Sequence, residues 1–117
     1  MSLRDRVNEL NDLILQGRIL DAFEKFYADD VVMQENDEEE RVGKDVNRAF
    51  EEAFVNGLTE FRGARVENVA VDEEAGVAFT EWFFDFTHKD WGPRTYHQVA
   101  RQLWKDGRIV HERFYHG

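Results

Sequence analysis

The chain has 117 residues, 42% of them hydrophobic and 14% aromatic, with a formal net charge of −10. That suits one folded domain, residues 1–117, able to bury roughly two-thirds of its unfolded surface without staples. The lack of cysteine excludes disulfides, thiolate metal sites and cysteine nucleophiles, and the acidic balance argues against nucleic acid or anionic membrane surfaces as partners. No run approaches the ~20 apolar residues of a membrane span. The N-terminus, MSLRDRVNEL, is charged from residue 4 and lacks the apolar core of a signal peptide, so a soluble cytoplasmic protein is expected.

In chain order, Ser2 with Asp5 three residues on is a capping-box variant that opens a helix. Val7, Leu10, Leu13 and Ile14 form its apolar stripe, and Gly17 can supply a left-handed C-terminal cap. A second, short helix carries Leu20, Phe23, Phe26 and Tyr27 and is expected to end near residues 28–30. Residues 31–34 read as a brief strand and 36–41 as an acidic loop. A third helix is predicted over 45–56, with Val46, Ala49, Phe50, Ala53 and Phe54 as its apolar face and Gly57 closing it. From Phe61 onward the pattern is strand only, over 61–72, 77–88, 94–105 and 108–116. The last turn, Asp106-Gly107, is a strong type I′ signal. Helices first and an antiparallel sheet afterwards make the fold α+β. The helices are expected to pack into the concave face of a strongly curved sheet, giving a cone open at one end.

The closing strands mix bulky aromatics with ionisable groups, which suits a pocket wall bearing a few polar groups. His97 and Arg101 share one face of their strand and could hold an oxyanion between them; a cross-strand salt bridge to Glu81 or Asp85 is the plainer alternative. Tyr96, Gln98, Ala100, Gln102 and Trp104 share the opposite face, and parity alone leaves open which face is inner. His111 and Glu112 point opposite ways, so at most one enters a pocket. Trp82, Phe50 and Phe54 are candidate walls, and Trp91, in a turn beside Pro93, is placed to cover the mouth or to join a subunit interface. The histidines and acids lack metal-ligand spacing, and no Gly-rich phosphate loop is present. Neither a metal nor a cofactor is expected.

Three strings, FEKFYADDVVMQE, VGKDVNRAFEEAF and ARQLWKDGRIVHERFY, occur in an order and spacing that resembles the nuclear-transport-factor-2-like superfamily, and within it the SnoaL-like polyketide cyclase group. The resemblance implies a cystatin-like, cone-shaped α+β barrel and does not fix an activity. Similarity to the ketosteroid isomerases of that superfamily puts Glu35 where they carry a general base. Their two oxyanion donors fall at Leu10 and near Val99 or Ala100, so neither donor is present at those positions. The other reading of Glu35 is simply the solvated start of the acidic loop.

The resulting expectation is a small-molecule pocket protein that binds an apolar carbonyl compound. As an enzyme of the isomerase, cyclase or dehydratase type it would abstract and return a proton, with Glu35 as base and His97 and Arg101 stabilising the enolate. Phe50, Phe54, Trp82, Trp91, His111 and Glu112 would contact the substrate. The second reading is a non-catalytic ligand-binding or dimerisation module. A homodimer through the outer sheet face is expected, since exposed aromatic strands seldom stay uncovered and dimers are usual in the family resembled.

Overall fold

The computed structural model describes residues 2–117, and its first element starts at the expected cap. Ser2 Oγ accepts from the Asp5 amide at 3.1 Å while the Asp5 carboxylate accepts from the Ser2 amide, so helix α1 (Leu3–Leu15) opens on a complete capping box. Gly17 follows in the left-handed region at φ 80°. Val7 and Leu10 are fully buried, with Leu13 and Ile14 packed against the same core.

Helix α2 (Ile19–Phe26) is shorter than expected, because Tyr27 is already extended and begins β1 (Tyr27–Glu35). The sequence reading carried that helix through Tyr27. In the structure the buried Lys44 ammonium donates to the carbonyls of Glu24 (3.0 Å) and Tyr27 (2.8 Å), tying off the helix end there. A short strand, β2 (Arg41–Val42), precedes α3 (Lys44–Gly57).

Helix α3 corrects part of the predicted apolar face. Val46 and Phe50 are 54% and 38% exposed, whereas Asn47 is completely buried and Lys44 nearly so. Asn47 Nδ2 donates to the carbonyls of Arg41 (2.9 Å) and Gly43 (2.8 Å), so a polar side chain occupies the core with its hydrogen bonds made. At Gly57 the backbone passes so close to the His88 ring that a Cβ would lie 2.1 Å from Nε2. The glycine is needed for close approach rather than as a cap.

Four long strands complete the chain: β3 (Leu58–Asp72), β4 (Val77–His88), β5 (Gly92–Lys105) and β6 (Arg108–His116). Asp106 and Gly107 both take positive φ, as a type I′ turn requires. The sheet order is β2-β1-β6-β5-β4-β3. The expectation of a wholly antiparallel sheet fails at one joint, since β1 runs parallel to β6. That joint links the first long strand to the last, a crossover long enough for a parallel pair. Fifteen residues of β3 lie opposite twelve of β4, and the excess appears as three register shifts along the pair. Bulges of this kind bend a sheet, and the curl wraps the inner face around the helices. Among the described residues no helix is long and apolar enough to cross a membrane.

Candidate functional site

The inner face of the sheet and the three helices enclose a cavity of about 460 Å³. Its walls are aromatic, with Phe50 and Phe54 from α3, Trp82 and Phe84 from β4, Trp91 at the turn and Phe114 from β6. Inner positions on β5 are Tyr96, Gln98, Ala100 and Gln102, facing Phe114 and His116 across the ladder to β6. A register shift between Leu103 and Trp104 resets the pairing, and Glu112 stands opposite Gln102, inside.

Two polar corners face this cavity. In one, Glu112 is 1% exposed and accepts from the Tyr27 hydroxyl and from Gln102 Nε2 at 2.7 Å. Gln102 Oε1 accepts in turn from Trp104 Nε1 at 3.0 Å. Burial pushes the Glu112 carboxyl up to about 8, opposed by the hydrogen bonds from Tyr27 and Gln102 and reinforced by the charges of Glu51 and Glu35. Burial also drives the Tyr27 phenol well above its ordinary range, with the Glu112 charge adding to it.

In the other corner Glu35 accepts from Arg41 Nη2 at 3.3 Å and lies 3.3 Å from His116 Nε2. Arg41 is itself held: Asn47 Oδ1 accepts from its Nε at 3.0 Å, and its guanidinium sits 3.7 Å from the Phe50 ring centroid. Glu51, half-buried on α3, lines the same cavity. Burial raises it to about 7, with the Glu35 charge adding and Arg41 opposing.

Of the residues singled out from the sequence, Glu35, Phe50, Phe54, Trp82, Trp91 and Glu112 line the cavity together. Trp91 stacks on the buried His88 ring at 4.1 Å and remains 46% exposed at the mouth. His97, Arg101 and His111 are not brought there. His97 points outward, its side chain 66% exposed, 3.8 Å from Glu67 rather than beside Glu81 or Asp85. Arg101 pairs with Phe79 and Arg113 on that outer face, and His111 lies 3.3 Å from Glu40. None of the three can reach a compound held inside. Tyr27, Glu51, Gln102 and His116 were missed. Tyr27 was assigned to a helix, and Glu51 was passed over although it stands between Phe50 and Phe54, which were expected to line the cavity and do.

Residues 7–112 match the SnoaL-like domain family. The chain belongs to that family. No curated protein matches it. Among solved structures, this SnoaL-like chain is similar to a Mesorhizobium loti protein assigned provisionally as a SnoaL-like polyketide cyclase, also labelled a carbohydrate phosphatase. The two are 28% identical over 98% of this chain and 99% of the other, with a TM-score of 0.86. A provisional polyketide cyclase from Pseudomonas putida KT2440 shares 20% identity (100% and 92% covered, TM-score 0.81). A Burkholderia pseudomallei NTF2-like protein of unknown function shares 17% (97% and 90%, 0.79). The last two likenesses speak for the SnoaL-like fold alone.

Proposed function

We propose that this chain is an enzyme that removes a proton beside a carbonyl in a small, largely apolar compound and returns it, as isomerases, cyclases and dehydratases do. The observation that supports this is one largely apolar cavity in which two of the three lining carboxyl side chains, Glu35 and Glu51, share a corner in different electrostatic settings. Glu35 is salt-bridged to Arg41, while Glu51 is pushed to about 7 by burial and by Glu35. Environments that separate two carboxyl groups in this way assign a base and an acid. Glu35 takes the C–H proton, the electron pair moves onto the carbonyl oxygen, and Glu51, partly protonated near neutrality, supplies a proton to the resulting enolate. Exchange with water then takes the proton from Glu35 and restores one to Glu51. Positioned proton transfer is worth roughly 10²–10⁴ in rate.

The test uses 2-tetralone, a bicyclic ketone, as probe. Loss of its α-proton signals in D₂O, followed by NMR, should be accelerated by the wild-type chain. Glu35→Gln should slow that exchange about a hundredfold or more, with the circular dichroism spectrum unchanged. Undiminished exchange in the variant, or none in the wild type, sinks the assignment. We also propose that a second copy covers the outer sheet face, where Phe79, Leu103 and Tyr115 are 41%, 38% and 38% exposed. A monomer on gel filtration at micromolar concentration contradicts it.

A further inference from the structure

Enolate formation places negative charge on an oxygen, and His97 and Arg101 lie on the wrong face to meet it. Hydrogen-bond directions at the buried acid supply a different partner. An indole N–H only donates, so Gln102 Oε1, 3.0 Å from Trp104 Nε1, is the acceptor. That fixes which way the Gln102 amide points, and its Nε2 donates to Glu112 Oε2 at 2.7 Å. Oε2 being an acceptor, the proton of a neutral Glu112 sits on Oε1, beside Tyr27 Oη. The bond between these two oxygens therefore has two settings. With Glu112 ionised, the Tyr27 hydroxyl is spent on the carboxylate. With Glu112 neutral, its O–H donates to the phenol oxygen, and the phenolic hydrogen is free to turn into the cavity that Tyr27 lines.

We propose that Tyr27 Oη is the catalytic hydrogen-bond donor to the oxygen of the bound compound, and that Glu112, oriented by Trp104 and Gln102, is the positioning residue that frees this donor. The proposal rests on the proton-transfer reading of the cavity and names the group that reading lacks. Titratable groups facing Glu112 are Tyr27 and Glu35 on β1 and Glu51 on α3, and the two acids oppose its ionisation. Burial holds Glu112 neutral up to about 8. The donor is available at neutral pH and is withdrawn as pH rises through that value. A catalytic phenol must also keep its own proton, and burial ensures that by raising Tyr27 well above its ordinary range.

The experiment titrates the full chain with 4-nitrophenol, whose anion presents an enolate-like oxygen and reports binding through its visible absorption. The wild type should bind it about tenfold more tightly near pH 7 than at about pH 9.5. Tyr27→Phe, checked for folding by its thermal melt, should lose about tenfold near pH 7. Glu112→Gln is the deciding variant. Its amide oxygen accepts from Gln102 and its NH₂ donates to Tyr27 at every pH, so tight binding should persist. The fall between about pH 8 and about pH 9.5, above the range where Glu51 and the probe ionise, should be lost. A Glu112→Gln variant that binds as poorly as Tyr27→Phe overturns the proposal. So do a pH-indifferent wild type, a Tyr27→Phe variant of undiminished affinity, or a wild type that does not bind the probe. If the titrations behave as expected while Glu35→Gln still exchanges 2-tetralone protons, the base assignment has failed and the donor stands.

Discussion

The two faces of β5 alternate residue by residue yet live under different physics. Outward, His97 and Arg101 carry the strand's recognisable chemistry. The His97 side chain is 66% exposed with a carboxylate at 3.8 Å, and a contact of that kind is screened by water and contributes little. Inward, Gln102 carries no charge. At 2% exposure, with both ends of its amide bonded, it settles which oxygen of Glu112 can hold a proton. A neutral group whose bonds are made out of water constrains its neighbours more than a charge in water does.

That contrast can be broken most directly at Gln102. Gln102→Leu should cost about 3 kcal/mol in a denaturant titration, because it strands the Trp104 N–H and one Glu112 oxygen in the interior. A cost no larger than that of Arg101→Ala would erase the distinction between the faces. Next comes Glu112→Gln, read through pH. The folded-state value of Glu112 is raised from 4.5 to about 8, so the folded wild type holds a proton that the unfolded chain has released between those values. The stability that Glu112 contributes is therefore fully present below 4.5 and is lost as pH rises to about 8. The amide variant escapes that loss, and its stability relative to wild type should grow by on the order of 4 kcal/mol from pH 5 to pH 9. A constant difference would mean that Glu112 titrates normally. The smallest effect is expected outside: His97→Ala should change stability by no more than about 0.5 kcal/mol, measured by the same titration.

The strands and their parity were legible in the sequence because alternation survives whichever face is inner. The grouping of Tyr96, Gln98, Ala100, Gln102 and Trp104 stands, and these residues proved to be the inner set. Choosing that face was beyond reach, since both faces carry polar and apolar side chains. The inner face of α3 was misread in part for a related reason. Apolar periodicity marks Val46, Ala49, Phe50, Ala53 and Phe54, of which Phe50 and Phe54 do line the cavity, but the fully buried side belongs to Lys44 and Asn47, whose polar atoms bond to backbone carbonyls from other segments. A pattern of hydrophobicity cannot see an acceptor that arrives from elsewhere in the chain. Glu35 was found through resemblance, and Glu51, between Phe50 and Phe54, was not.

The parallel joint between β1 and β6 also orders events in time. Tyr27 and Glu112 stand 85 positions apart and meet only because the first long strand docks beside the last. Closing so long a loop is entropically costly, and contacts of high sequence separation slow folding. A chain emerging from the ribosome can form α1, α2 and the β3–β4 hairpin well before β6 exists. Until that final strand arrives, the inner face is open to water and the acid corner has no acid, so a form without β6 carries the Tyr27 hydroxyl but not the Glu112 that orients it.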